Sequence, residues 1–323
     1  MKQRLLGRTR LPVGEIGFGG WAIGGNHVGN SYGATDDAES RRAVRRAFEL
    51  GCTFFDTADV YGHGKSEELL GATLQDVRDR VILATKVGGN FYNRDVHPLL
   101  AERIAQMMDQ PFDQIPADAS LPATHDSNFT PRYVRFAVEQ SLKRLGTDYI
   151  DLLQLHNPPL SLISSMDTYA VLEDLKREGK IRWYGVSVHP PEEGLAAVSA
   201  TMPDTVQIVY NLARREAEDE FFPAARAAGI GVIAREPLAN GFLAGRYAWD
   251  STWENGDIRA RMPRPYVKQM AALGLRVRQL AEKAATSPAQ LALRFVLEQA
   301  AVSVAIVGMK TVQQVDENLG WEA

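Results

Sequence analysis

A single cysteine, Cys52, occurs in 323 residues, so no intramolecular disulfide can form and no cysteine-rich metal site can be built. Its apolar neighbours make Cys52 a small core residue. Nowhere do 18 uncharged apolar residues run together, which excludes a membrane-spanning helix, and the opening MKQRLLGRTRLPV lacks the apolar stretch of a signal peptide. A cytoplasmic protein is expected. Charge of one sign is lacking too: 36 Lys and Arg against 40 Asp and Glu leave a net charge of −4, which gives no electrostatic reason for nucleic acid or an anionic membrane as partner. Any anion must be held locally. His63 and Glu67 have no second histidine at ligand spacing, so no metal site is expected.

The chain does have enough apolar residues, 45%, to bury a large core, and a length normal for a single α/β barrel. Short apolar runs at 53–56, 81–86, 149–155, 182–187, 206–210, 230–235 and 303–307 are each followed by a stretch of helical periodicity. EIGFGG near residue 17 makes an eighth. Eight alternating units predict an α/β fold of the (β/α)8 TIM-barrel type, one domain over residues 1–323. Helix signals agree: Thr35, Asp36 and Asp37 open ESRRAVRRAFEL, Thr130-Pro131 opens RYVRFAVEQSLKRLG, and Ser287-Pro288 opens AQLALRFVLEQ. MKQRLLGRTRLPV, with its turn at GRTR, predicts a hairpin ahead of the barrel.

Two segments break this rhythm. Residues 90–128, after the third strand, mix Asn, Asp, Pro and His without a period, as a functional loop does, and would lie over the barrel mouth as a lid. There Phe91, Tyr92, His97 and Phe129 could supply apolar walls, and Asn93, Asp95 and Asp126 could reach a polyhydroxylated ligand. The second, about 244–266, carries RYAWDSTWENGDIRARMPRP after the seventh strand.

Catalytic groups of such a barrel sit at the C-terminal ends of its strands. The last polar residues of the runs are Asp56 with Tyr61 just beyond, Lys86, His156, Ser187, Gln207 with Tyr210, and Arg235. A phenol is a poor acid at neutral pH, but an adjacent ammonium stabilises the phenolate. Lys86 anchored by Asp56 could so tune Tyr61 as a proton donor to a developing alkoxide, with His156 beside it. Singly, each has an ordinary reading: a turn cap for Asp56, a rim aromatic for Tyr61, a surface lysine, a structural histidine. GFGGWA matches a loose dinucleotide-binding pattern, but the glycines and asparagines that follow break any helix, so these glycines indicate close backbone approach instead.

The motifs FFDTADVYGHGKSEELLG, ILATKVG, SLKRLGTDYIDLLQLHNPP, GVSV, VQIVYNLARRE and GMKTVQQVDENL, in this order from about residue 3 to 319, resemble the aldo-keto reductase superfamily. The resemblance implies an eight-stranded barrel, a nicotinamide cofactor bound without a Rossmann fold, and reversible reduction of carbonyls to alcohols. It implies a catalytic tetrad of Asp56, Tyr61, Lys86 and His156. It also implies cofactor contacts from Gly20, Trp21, Asp56, Ser187, Gln207, Tyr210 and Arg235. The pyrophosphate would be wrapped by PLANGFLAG (Pro237, Leu238, Ala239, Gly241, Leu243, Gly245), and the adenosine half received by Gly308, Lys310, Thr311, Gln314 and Asn318. Lys310 adds a charge that favours NADP(H).

The chain departs from the pattern at four places. Val188 stands where an Asn often follows the Ser, Arg235 and Glu236 where an aromatic often stacks on the nicotinamide, and Asn157 where a Trp often follows the His; a longer C-terminal tail is absent. Small carbonyl compounds or alcohols, including sugars, are the expected substrates. The alternatives are a cofactor-binding regulatory subunit with little turnover, similar to potassium-channel β subunits, and a lyase forming a Schiff base on Lys86.

Overall fold

A computed structural model describes residues 1–27, 31–90, 92, 127–200 and 202–320. Two short strands, β1 (Gln3–Leu5) and β2 (Pro12–Gly14), form the expected antiparallel hairpin. Eight further strands close into a parallel barrel: β3 (Ile16–Gly19), β4 (Phe54–Asp56), β5 (Ile82–Val87), β6 (Ile150–His156), β7 (Ile181–Ser187), β8 (Thr205–Val209), β9 (Gly231–Arg235) and β10 (Val302–Gly308). Each lies within two residues of its apolar run, because short β-rich runs between turn residues leave few alternatives.

Around the barrel lie α1 (Asp37–Glu49), α2 (Lys65–Leu74), α3 (Pro131–Leu145), α4 (Met166–Arg177), α5 (Pro191–Ala200), α6 (Phe221–Ala227), α7 (Arg264–Lys283), α8 (Pro288–Glu298) and α9 (Val312–Leu319). Their starts follow capping chemistry. Asp36, rather than Thr35, accepts the Glu39 amide, Thr130 accepts that of Tyr133, and Ser287 with Gln290 forms a reciprocal capping box. No helix among the described residues is long and apolar enough to cross a membrane.

Side chains alternate along each strand between the barrel interior and the helix layer. Phe54, Ile82, Ala84, Leu152, Ile233, Val304 and Ile306 fill the interior together with Leu6 and Val13 of the hairpin, which thus plugs the N-terminal end. Burial of each of these side chains other than Ala84 is worth about 1.5–3 kcal/mol. Gly7, at φ +51°, packs so close to Gly231 that a Cβ would fall 2.1 Å from its nitrogen. With one end plugged by packed side chains, the other, where the strands end, is left for chemistry.

Most of the expected lid, including Phe91, Asn93, Asp95, His97 and Asp126, lies outside the described residues. Tyr92 is described, and the expectation that it lines a pocket is corrected. It is fully buried against α3, its hydroxyl bonded to Arg144 at 2.6 Å and its ring edge-on to Tyr133 and Phe136. Phe129 is also buried, in the strand–helix core.

Candidate active site

The alternation that points Phe54, Ile82 and Leu152 inward also points inward Asp56, Lys86, Gln154 and His156, two or four residues further along the same strands. Lys86, fully buried, donates from Nζ to Asp56 Oδ1 at 2.5 Å, to the Thr57 carbonyl at 2.8 Å and to the Tyr61 hydroxyl at 3.1 Å. The His156 ring stands edge-on to Tyr61, centroids 5.8 Å apart. The four residues expected to act together are thus adjacent. Burial first, then the charges of Lys86 and Arg235 and the nearby His189, hold the His156 imidazole well below its ordinary pKa. It is neutral at pH 7, with one N–H to donate to a bound oxygen.

Asp56 is satisfied on its other oxygen by two amides that approach from across the barrel, Gln154 Nε2 at 3.0 Å and Gln207 Nε2 at 2.9 Å. Ser187 Oγ donates to Gln207 Oε1 at 3.2 Å. Arg235 donates in turn to Ser187 Oγ at 3.1 Å and to Asn157 Oδ1 at 3.3 Å, with Glu236 3.8 Å away. Two of the departures noted in the sequence, Asn157 and the pair Arg235 and Glu236, therefore meet in one polar cluster at the pocket wall, whereas Val188 is buried in the apolar core.

From Asp56, Tyr61 and Gln207 the pocket runs past Trp21, Arg235, Pro237, Leu238 and Gly241 to Gly308 and Lys310 ahead of α9 and Gln314 and Asn318 along it. An elongated nucleotide fits this course. A Cβ added at Gly308 would meet nothing nearer than Ala22 and Tyr32 at 3.7 Å, so packing does not demand a glycine there; the space it leaves belongs to the groove. Non-glycine residues Asn157, Glu236, Ala239 and Asn240 all adopt positive φ near this groove, at a cost of about 1–2 kcal/mol each. Strain of this kind gathers at functional sites.

Several expected contacts lie elsewhere. Tyr210, expected at the nicotinamide, is corrected: its ring packs on Phe222 and Phe295 in the helix layer and its hydroxyl bonds Glu218 at 2.7 Å. Ala239 and Leu243 are buried in the apolar cluster under α7 and α8. Gly245 ends a 3-10 turn against α7, Gly20 packs on Ser66 and the Asp56 carbonyl, and Thr311 caps α9. Ser187 reaches the pocket only through Gln207 and Arg235.

Other groups at the site were not anticipated. Tyr32 donates to Asn240 Oδ1 at 2.8 Å across the groove, and Lys310 Nζ holds the Tyr32 and Ala34 carbonyls at 2.9 and 3.1 Å. Arg259, paired with Asp257, lies over the rings of Tyr32, Tyr247 and Trp253. The 244–266 segment, conspicuous in sequence, thus meets the loop after β3 above the groove. Gln154 had a local signal as well, an amide within an apolar run two residues before His156. Among the described residues, no three His, Cys, Asp or Glu side chains stand together as metal ligands.

Comparison with known proteins agrees with this geometry. The model of the Aldo/keto reductase family matches residues 15–322. The chain is 32% identical over 331 residues to Aldo-keto reductase YhdN of Bacillus subtilis (strain 168), covering 99% of this chain and 89% of that protein. It is 28% identical over 325 residues to L-galactose dehydrogenase of Arabidopsis thaliana, covering 98% and 86%. The solved structure of glycerol dehydrogenase AKR11B4 from Gluconobacter oxydans superposes with a TM-score of 0.74 at 28% identity, covering 99% of this chain and 91% of that one. With eight parallel strands closed in a barrel and the family matched over nearly its whole length, the chain belongs to the aldo/keto reductase family of NAD(P)H-dependent oxidoreductases.

Proposed function

We propose that the protein interconverts a small polyhydroxylated aldehyde or ketone with its alcohol, using NADP(H), with Tyr61 as the proton donor. The observation that carries this reading is the hydrogen-bonded line Asp56–Lys86–Tyr61 ending in a pocket. The bound nicotinamide would supply a hydride to the carbonyl carbon. Tyr61 delivers its proton to the carbonyl oxygen as that oxygen gains charge, and Lys86, 3.1 Å away, stabilises the phenolate left behind. In the alcohol direction the phenolate takes the hydroxyl proton. His156, neutral, donates its N–H to the same oxygen and fixes the face presented to the hydride.

The substrate class rests on the polar end of the pocket. Arg235 and Glu236 in the pocket wall, with Asn157 behind them bonded to Arg235, offer donors and acceptors where an apolar wall would favour plain aldehydes, and a hydroxylated chain can satisfy them. That a sugar dehydrogenase and a glycerol dehydrogenase are among the similar proteins supports this choice. Lys310 supports NADP(H): two of its three N–H groups go to loop carbonyls, which leaves one for a 2′-phosphate. The test is a panel of aldehydes, ketones, polyols and sugars followed at the nicotinamide absorbance with both cofactors. Tight NADPH binding with negligible turnover across the panel would instead favour a cofactor-binding regulatory role.

A further inference from the structure

Gln154 belongs to none of the roles above, yet it is fully buried and bonded at both ends of its amide. The orientation of the two amides follows from their shared partner. Asp56, paired with Lys86, is a carboxylate that can only accept, so both Gln154 and Gln207 must turn Nε2 toward its Oδ2. The second N–H of Gln207 then points at Gln154 Oε1, 3.1 Å away. Both donors of Gln207 are consumed inside the barrel. What it turns toward the pocket is Oε1, an acceptor already holding one hydrogen bond from Ser187.

We propose that Gln154 is a positioning residue: with Asp56 it consumes the N–H groups of Gln207, so that Gln207 meets the nicotinamide carboxamide as an acceptor only and ties the ring to the tetrad. This rests on the reading of the pocket as a nicotinamide site. The ligand group demanded is an amide N–H beside the ring, pointed at Gln207. Because the same Asp56 oxygen receives Gln154 and Gln207 while its other oxygen receives Lys86, nicotinamide placement and the proton donor are registered on one carboxylate. Loss of Gln154 leaves a Gln207 N–H without an acceptor in a dry interior, and removes one of the two donors that fix the Asp56 rotamer.

The experiment compares nucleotides with and without the ring. In Gln154→Met, which keeps the shape and removes both hydrogen bonds, affinity for NADPH is expected to fall by about tenfold while affinity for 2′-phospho-ADP-ribose stays within about twofold of wild type. Equal losses for the two nucleotides, or no loss for either, would overturn the proposal, since a merely structural role does not distinguish them. Wild type supplies a second measurement that needs no variant. The 3-acetylpyridine analogue of the cofactor, which replaces the carboxamide NH2 by a methyl group, is expected to bind about tenfold more weakly, because Gln207 Oε1 loses its donor. Equal binding of carboxamide and acetyl forms would overturn the acceptor-only assignment. If wild type bound the ring-free nucleotide but gained nothing from the nicotinamide, both this inference and the proposed function would fall; binding of the nicotinamide without the selective loss in Gln154→Met sinks this inference alone.

Discussion

Lys86 Nζ lies 3.1 Å from the Tyr61 hydroxyl and 4.8 Å from the centroid of its ring, so one ammonium addresses both the oxygen and the π-face of the same phenol. The lysine cannot leave this position at low cost. Its other donors are held by Asp56 and the Thr57 carbonyl, and its stem is enclosed by the barrel. The tuning of Tyr61 proposed above and the packing of the barrel therefore depend on the same lysine side chain.

Tyr61→Phe removes the donor oxygen and keeps the ring against Trp21 and His156. Turnover is expected to fall by roughly 10²- to 10⁴-fold, with cofactor affinity and melting temperature close to wild type. Steady-state rates beside a fluorescence titration check this. A variant that kept more than half of kcat would remove Tyr61 from its role.

Lys86→Met leaves Asp56 as a buried carboxylate without its cation, held only by two glutamine amides. Breaking such a pair costs about 3–5 kcal/mol, so the melting temperature should drop sharply. Adding Asp56→Asn removes the stranded charge, and the double variant is expected to recover most of the stability but none of the activity. Denaturant unfolding of wild type and the two variants decides it; a double variant no more stable than Lys86→Met would show that packing, not charge, was lost.

Strand positions and the adjacency of Asp56, Tyr61, Lys86 and His156 were legible because both rest on local pattern: an apolar run of four to seven residues and a polar group where it ends. The side a residue faces was legible too, but only with the two-residue period applied strictly. Tyr210 was assigned to the pocket although Ile208, two residues before it, is packed with the helices, and Gln154 was passed over although it shares its side with His156. The crossing of Tyr32 with Asn240, 208 residues apart, and the stacking of Arg259 on Tyr32 had no sequence signal, since each residue is unremarkable until the barrel brings its two loops together.

Lys310 pins the Tyr32 and Ala34 carbonyls and, in the function proposed, also meets the 2′-phosphate; Lys310→Ala should separate the two. Both cofactors lose whatever the pinned carbonyls of Tyr32 and Ala34 contribute, but NADPH loses in addition a charge-assisted contact, about tenfold more. Burial, then the charge of Arg259, lowers the Lys310 pKa from the ordinary lysine value. Its ammonium is thus lost at a lower pH than usual. Above about pH 7, where the 2′-phosphate is dianionic, the preference for NADPH over NADH should shrink as pH rises toward the lysine range, and earlier than an exposed lysine would cause. A preference flat with pH in wild type, or unchanged in the alanine variant, would take the phosphate from Lys310.

Asp59 lies on the turn between Asp56 and Tyr61, fully buried, with neither carboxylate oxygen hydrogen-bonded among the described residues. Its neighbour Glu67 takes the nearby cation: Arg144 Nε binds Glu67 Oε2 at 2.6 Å, and Thr85 donates to the other oxygen. Burial, then repulsion from Glu67, pushes the Asp59 pKa well above the ordinary carboxylate value, so its protonated form is the one the fold favours. The sign for stability follows. The folded state binds the proton more tightly than the unfolded chain, so the advantage is whole below the unfolded pKa of about 3.9 and is lost as pH rises toward the raised folded value, at about 1.4 kcal/mol per pH unit across that window. Asp59→Asn keeps the shape and does not titrate. It should therefore unfold at higher denaturant than wild type near pH 7, with a gain that shrinks as the pH is lowered toward 4. A gain that did not change with pH would mean that folding leaves the Asp59 pKa unshifted, and a variant less stable than wild type at pH 7 that Asp59 is ionised in the fold and has a partner.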